Sequence, residues 1–491
     1  MNWKIIGRSF KSADMRKRIF AVLGMLIIFR FLAHIPIPLA EPAQLKQILE
    51  NVLSQTNGNN FLGFLNILSG GALANFSIML VGLGPYINAS IIMQLLTKAI
   101  PKLEKLNKEG EYGRKKIQQW TRIITLPLAM IQSVGTIFLV RQYAQGAGGL
   151  GDIVSHASLG QWALMVAALT GASMLLMWLG ELITEEGIGN GISLIITIGI
   201  VSRLPSIIGG LISSVIAKDT HFKIFGHFNL PINSNALWIT LAIAGATILT
   251  TLFVVYLNEA QRKITINYAK RLQGNRVYGG VTTVLPIRLI TAGVVPIIFA
   301  LAFLSLPEFI GKLLTQSGGD KFQKLGENLT TWFATPTSQT LSSGNWTAWI
   351  YPIVYFGLVF MFTFFYTSVV FNSKEIAENL QKQGGFIDGV RPGLQTEKYL
   401  TRVVNRLTLF GALALAILAI MPIFGQALLK TDQIAIGGTS VLILVSVTLE
   451  TLRQIESRAL MVTYDDYTIN IDSDKKGPKK RLNFRRRRAT A

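Results

Sequence analysis

The chain contains no cysteine, which excludes disulfides and thiolate metal centres. Its four histidines are scattered and no H-E-x-x-H pair occurs, so nothing in it suggests a catalytic zinc site. A G-x-x-x-x-G-K-[ST] loop is missing as well, and with it P-loop hydrolysis of ATP by this chain. "EGIGNGIS" (186–193) is glycine-rich but lacks G-x-G-x-x-G spacing and a preceding strand, so it does not read as a nucleotide site. Acidic residues are scarce where they would matter most. Asp and Glu are confined to loops and to the ends of apolar runs, as with Glu181 and Glu308. The polar groups inside the runs are amides and hydroxyls: Asn75, Asn88, Ser90, Gln94 and Thr197. Ion-coupled carriers generally need an ionisable group at depth. Its lack argues against an ion-coupled secondary transporter of a small solute, although unwound carbonyls leave Na⁺ binding open. A membrane insertase without a through-pore would want a charged groove at depth, and none is visible.

What is present is apolar length. Half of the 491 residues are hydrophobic and only 15% are charged. Apolar runs of about 20 residues, enough to cross roughly 30 Å of hydrocarbon, recur along the chain. Ten spans are predicted, at 19–38, 74–98, 121–141, 161–180, 188–209, 237–257, 287–310, 349–371, 402–423 and 437–455. The net charge of +21 gathers in the N-terminus, in alternate loops and in the tail, the positive-inside pattern. Loops 101–120 and 258–280 are basic and expected inside; 142–161 has no Lys or Arg and is expected outside. The acidic stretch "ELITEEGIGN" (181–190) is an exception on the inner side, and short acidic loops weigh little in orientation. Arg16, Lys17 and Arg18 precede a first span with no small-residue cleavage site, so that span is expected to be uncleaved, with Arg30 and His34 reaching for headgroups. An even number of spans puts both termini inside. Residues 459–491 are expected to be a basic cytoplasmic tail, of which 473–491, with "RRRR" at 485–488, lacks apolar periodicity and is expected to be disordered, with anionic lipid, ribosomal RNA or no partner all open.

"GGALANFSIMLVGLGPYINASIIMQLL" (70–96) is an odd membrane helix, because glycines and Pro85 loosen its first half. Leu83, Ile87 and Ile91 share one helical face, as do Ile192 and Ile196. Such stripes are ordinary lipid-facing or core packing, or else an apolar constriction that blocks ions by dewetting. Periodicity alone does not choose. Five spans plus five would permit two halves of opposite topology, though no self-similarity between them stands out.

"FRFLAHIPIP", "NILSGGALANFSI", "PYINASIIMQLL", "KEGEYGRKKIQQWTR", "LMWLGELITEEGIGNGIS", "INYAKRLQGNRVYGG", "PIIFA", "FNSKEIAENLQKQGGFIDGVRPG" and "IGGTSVLILV" resemble the bacterial SecY family in order and spacing, from about residue 10 to 460. The resemblance implies an all-α, polytopic fold of ten transmembrane helices in two pseudo-symmetric halves. Residues 1–18 would be a cytoplasmic N-terminal segment and 19–209 the N-terminal half, with a plug at 61–75. An external hinge loop (210–236) would lead to the C-terminal half (237–458), whose cytoplasmic docking loops are 258–286 and 372–401. The implied function is the central channel of the Sec translocon, passing unfolded polypeptides through the bacterial cytoplasmic membrane and releasing apolar segments sideways into lipid. No enzymatic chemistry and no cofactor or metal is implied.

By the same resemblance, a pore ring falls on Leu83, Ile87, Ile192, Ile196, Ile298 and Ile443. The plug includes Leu68, Ser69, Gly70, Gly71, Ala72, Leu73 and Asn75. A lateral gate between the second and third spans and the seventh and eighth would carry Asn88, Gln94 and Thr97. Docking of a SecA-like motor ATPase or of ribosomal RNA falls on Lys270, Arg271, Arg276 and Arg391. SecE-like and SecG-like small membrane subunits and signal-sequence-bearing polypeptides complete the implied partners. Two departures matter. Gly84 stands where many relatives carry a larger apolar residue, which implies looser packing beside the ring. Asn275 precedes Arg276 where relatives often have paired arginines, which implies a weaker hold on RNA phosphates.

Overall fold

The computed structural model describes residues 12–37, 77–146, 158–202, 204–216, 222–224, 228–230, 234–268, 271–273, 276–278, 280, 282–315, 320–342, 345–429 and 440–460. Helix coincides with every one of the ten predicted spans. The first is α1 (Ala13–Leu32), the second α2 (Gly84–Ala99), followed by a short α3 (Pro101–Lys108). The third and fourth are α4 (Glu111–Gly146) and α5 (Leu159–Glu186); α6 (Gly191–Val201) and α7 (Leu204–Val215) make the fifth. The sixth and seventh are α8 (Ser234–Glu259) and α9 (Val295–Leu314). Two short helices, α10 (Asp320–Phe333) and α11 (Ser338–Ser342), precede the eighth, α12 (Ile350–Val370). After α13 (Ser373–Lys382) come the ninth, α14 (Leu394–Leu429), and the tenth, α15 (440–460). Six of these helices are by themselves long and apolar enough to cross a bilayer.

One hydrophobic cluster runs through the bundle, drawing on α1, α2, α5, α6, α8, α9, α12, α14 and α15. Around it the outward faces are apolar too. In α8 only 6% of the most apolar window is buried, and Trp238, Leu241, Leu252 and Tyr256 point outward. A helix that buries so little yet stays apolar suits a hydrocarbon solvent, where the backbone's own hydrogen bonds satisfy its polar groups.

Most helix ends fall some residues away from the expected span limits, and two helices begin well inside their predicted spans. The second span begins at Gly84 instead of 74, because residues 77–83 form a turn. The seventh begins at Val295 instead of 287, because Thr282–Arg288 is a strand. That strand, β6, pairs antiparallel with β3 (Gln261–Tyr268) from Gln261↔Arg288 to Asn267↔Thr282. A two-residue β7 (Gly385–Phe386) pairs with the other edge of β3 at Asn267 and Tyr268. Pro286, which has no N–H to donate, is tolerated because β6 is an edge strand. A second small core of Ile264, Ile266, Ile287, Leu380, Ile387, Leu400 and Val404 welds this sheet to α13 and to the start of α14. Loops 258–286 and 372–401 are therefore one folded unit. Two further hairpins pair β1 (Phe222–Ile224) with β2 (Phe228–Leu230), and β4 (Arg271–Gln273) with β5 (Arg276–Tyr278).

Among the described residues, the buried carboxylates Glu181 and Glu308 are paired. The acidic exception at 181–190 is matched by Arg122, 2.6 Å from Glu181, and by Arg18, 3.7 Å from Glu186. Glu308 and Lys312 form a 2.8 Å pair in α9 with side chains only 7% and 10% exposed. Breaking such a pair strands a charge, typically at about 3–5 kcal/mol. Glu308→Gln is accordingly expected to lower the unfolding midpoint of the detergent-solubilised protein by several degrees. An unchanged midpoint would show that Lys312 is stabilised chiefly by other neighbours.

Candidate functional site

The six ring candidates come from four helices, and the chain takes pains to place each. Before α2, Ser77 Oγ donates to the Leu32 carbonyl, Ile78 N–H to that of Ile35, and Ser77 Oγ accepts from Met79 N–H. Gly82 then turns the chain with φ 62°, its carbonyl accepting from Ser173 Oγ of α5 at 2.9 Å. Leu83 becomes the N-cap of α2, with Pro85 in the first turn, where a missing N–H costs nothing. The same device opens α9: Gly293 has φ 63°, Val294 is the N-cap and Pro296 lies in the first turn. Ile87 and Ile298 each follow that proline by two residues and are therefore equivalent positions on equivalent helices.

On α6, Asn190 caps the helix, its Oδ1 accepting from Ile192 N–H and Ser193 N–H. Gly191 N–H donates to Thr184 Oγ1 of α5 at 2.9 Å, which fixes the level of Ile192 and Ile196. Ile443 arrives from α15. Leu83, Ile87, Ile196, Ile298 and Ile443 are buried and Ile192 is partly buried, all within the one large cluster. All six thus belong to one contiguous apolar cluster.

Beside them sits a residue that sequence reasoning missed. A Cβ at Gly84 would come within 3.1 Å of Gln132 Nε2 and 3.4 Å of its Oε1. The gap left by Gly84 is thus filled by the Gln132 amide of α4, and the expected loosening does not occur. No sequence signal pairs these two residues, since they meet across helices.

The seam candidates behave differently from the ring. Gln94 Nε2 donates to Ser90 Oγ at 3.0 Å and Thr97 Oγ1 to the Met93 carbonyl at 2.7 Å, both within α2. The buried Asn88 Oδ1 and Gln94 Oε1 have no hydrogen-bond partner among the described residues. None of these contacts crosses to α9, which nevertheless packs against α2 and α4.

Of the basic candidates, Arg271 and Arg276 lie on the hairpin β4–β5, which continues from the far end of β3, and β7 joins that same end. Arg391 is exposed just beyond the tight turn Ile387–Val390, and its carbonyl accepts from Thr396 Oγ1. Two of the four thus lie on the separate hairpin β4–β5 and a third in the loop after β7, beyond one end of the three-stranded sheet. At its base, Arg288 is held below the usual arginine value by burial and by neighbouring Arg453, with Glu450 and Glu259 opposing; a guanidinium stays charged regardless. Lys270 and all of the plug (Leu68, Ser69, Gly70, Gly71, Ala72, Leu73, Asn75) lie outside the described residues.

A family model described as SecY matches residues 77–452. Relatives include the protein translocase subunit SecY of Streptomyces coelicolor, 37% identical over 464 residues, covering 94% of this chain and 98% of that protein. The Corynebacterium glutamicum subunit is 37% identical over 463 residues, covering 93% and 98%. That of Mycobacterium tuberculosis is 35% identical over 469 residues, covering 94% and 98%. Among solved structures, one described as a protein-conducting channel aligns with TM-score 0.58 at 20% identity, over 88% of this chain and 90% of its own. Canine Sec61 in a ribosome–channel complex from the endoplasmic reticulum aligns with TM-score 0.54 at 19% identity, over 88% and 90%. Those two share the fold.

Proposed function

The chain belongs to the SecY family, and from that premise we propose that it is the channel-forming subunit of a bacterial protein translocase. It passes unfolded polypeptides across the cytoplasmic membrane, with both termini inside, and releases apolar segments sideways into lipid. The observation that supports this reading is that six branched aliphatic side chains, from four helices and both halves of the chain, belong to one contiguous apolar cluster. A waist of that kind offers ions nothing to replace their hydration water, yet it yields to a bulky chain. An ion-coupled carrier gains no support from the family, and among the described residues no cluster of metal-ligating side chains occurs.

Residues 19–209 and 237–458 act as two jaws, with the hinge at 210–236. The cytoplasmic loops offer Lys270, Arg271, Arg276 and Arg391 to a motor ATPase or to ribosomal phosphates; small membrane subunits of the SecE and SecG kind clasp the bundle. The chain does no bond chemistry itself, and force comes from the motor, the ribosome or the proton-motive force.

Residues 61–75 stopper the waist from outside. Deleting them should give the reconstituted complex a resting ion conductance in planar bilayers that the intact complex lacks. A membrane equally tight after the deletion would remove the stopper from the mechanism.

A further inference from the structure

Sideways release requires α9 to part from α2 and α4, so something must hold that seam shut. In lipid, apolar surface alone does not drive helices together; packing and interhelical hydrogen bonds do. Gln94 bonds Ser90 and Thr97 bonds the Met93 carbonyl, both within α2, and among the described residues no hydrogen bond of Asn88, Gln94 or Thr97 crosses to α9, which leaves packing to carry the closure. One close fit across the seam is a knob in a notch. Gly135 of α4 is buried against the ring of Phe309 of α9, which is itself only 7% exposed. A Cβ at Gly135 would lie 2.7 Å from Cε2 and 3.1 Å from Cε1 of that ring, and closer still to Cζ. Thr136 and Ile137, beside the notch, are buried as well.

The opposite face of α9 is anchored elsewhere. Gly311 meets Gly326 and Thr330 of α10 at backbone distance, and the Glu308–Lys312 pair is buried within the helix. Phe309 is therefore the part of α9 that must withdraw when the seam parts. Pro307 in α9 and Pro127 in α4 each remove a backbone donor within about two turns of the contact, which eases bending there.

We propose that Phe309 seated on Gly135 is the closing contact of the seam, and that the fit at this position sets how much apolar surface a passing segment must present before it is released into lipid. This rests on the channel reading given above. An entering segment replaces the packing that the ring gives up. A poorer fit lowers what the segment must supply, and the threshold falls.

The geometry gives a reciprocal test. The atoms that a Cβ at position 135 would strike are Cζ, Cε1 and Cε2 of Phe309, the ring atoms that leucine lacks. Gly135→Ala forces the ring out; Phe309→Leu leaves a void over the notch; the double variant restores contact without the clash. Substrates would carry a test segment of about 20 residues with graded leucine content. Release into phosphatidylethanolamine–phosphatidylglycerol vesicles by the reconstituted complex is scored by protease protection, and export of a wholly polar substrate is measured alongside.

Each single variant should shift the half-release point by about two leucines towards less apolar segments, on an insertion scale where each leucine contributes a modest increment. The double variant should return towards wild type, with polar export unchanged throughout. Phe309→Leu removes volume without adding any, so it keeps the test usable should Gly135→Ala fail to fold. Superimposed curves for wild type and Phe309→Leu overturn the seam contact. A wild type whose release does not depend on leucine content overturns the channel reading instead.

Discussion

Changing Ile87 and Ile298 together to asparagine should make the resting complex conduct small ions, raising bilayer conductance by more than either change alone. The two side chains are equivalent in position, each two residues past the proline that opens its helix, and they are 2% and 6% exposed. An amide buried without a partner costs roughly 2–7 kcal/mol relative to an apolar medium. Two amides facing a common waist recover that cost by admitting water, and hydrated ions follow. Removing the branched side chains alone, as alanine, costs about 2–5 kcal/mol of packing at each site. Alanine at both positions should therefore destabilise the bundle while leaking less than asparagine does. That ordering separates wetting from mere loosening. A correctly assembled asparagine double variant that holds the bilayer tight would mean that these side chains fill a core instead of gating a path.

Much of the bundle is legible in the sequence because apolar length is a strong signal, and helix lies at each predicted position. The ends are not. Residues 77–83 are as apolar as their neighbours, so hydropathy extended the second span over a turn, and the seventh, begun at 287, took in the last two residues of a strand and the turn after it. The strand β3, "QRKITINY", shows its alternation in the buried Ile264 and Ile266, yet a basic loop invites reading for charge instead of period. The shared opening of α2 and α9 was written plainly as Gly82-Leu83-Gly84-Pro85 and Gly293-Val294-Val295-Pro296. Two fixed residues in four are too few to count as a repeat without the matching φ values of 62° and 63°. Contacts across helices left no trace at all. Nothing marks Gln132 as the filler over Gly84 or Phe309 as the knob over Gly135, because each pairing depends on the roll of two helices that hydropathy does not fix. For the polar residues of α2 the sequence allowed bonds within the helix or across the seam, and only the coordinates decide between them.

Gly191→Ala puts the placement of Ile192 and Ile196 to a test of sign. Helix propensity favours alanine over glycine by about 1 kcal/mol, so on local grounds the substitution should stabilise α6. The tertiary fit says the reverse. A Cβ at residue 191 would overlap the Gly180 carbonyl oxygen of α5 and lie 2.8 Å from its carbonyl carbon and 2.9 Å from Ile183 Cβ. A backbone carbonyl, unlike a side chain, has no rotamer to retreat to. The start of α6 must withdraw, which stretches the 2.9 Å bond from Gly191 N–H to Thr184 Oγ1 and draws both isoleucines off the waist. Overpacking of this kind typically costs about 1–3 kcal/mol. Gly24→Ala in α1 is the matched control, because a Cβ there meets nothing within 4 Å. Its Tm should hold or rise, while that of Gly191→Ala falls and its resting conductance increases. If both variants instead gained stability together, α5 and α6 would not be in backbone contact at Gly180, and Ile192 and Ile196 would have lost the support that places them in the cluster with Ile87 and Ile298.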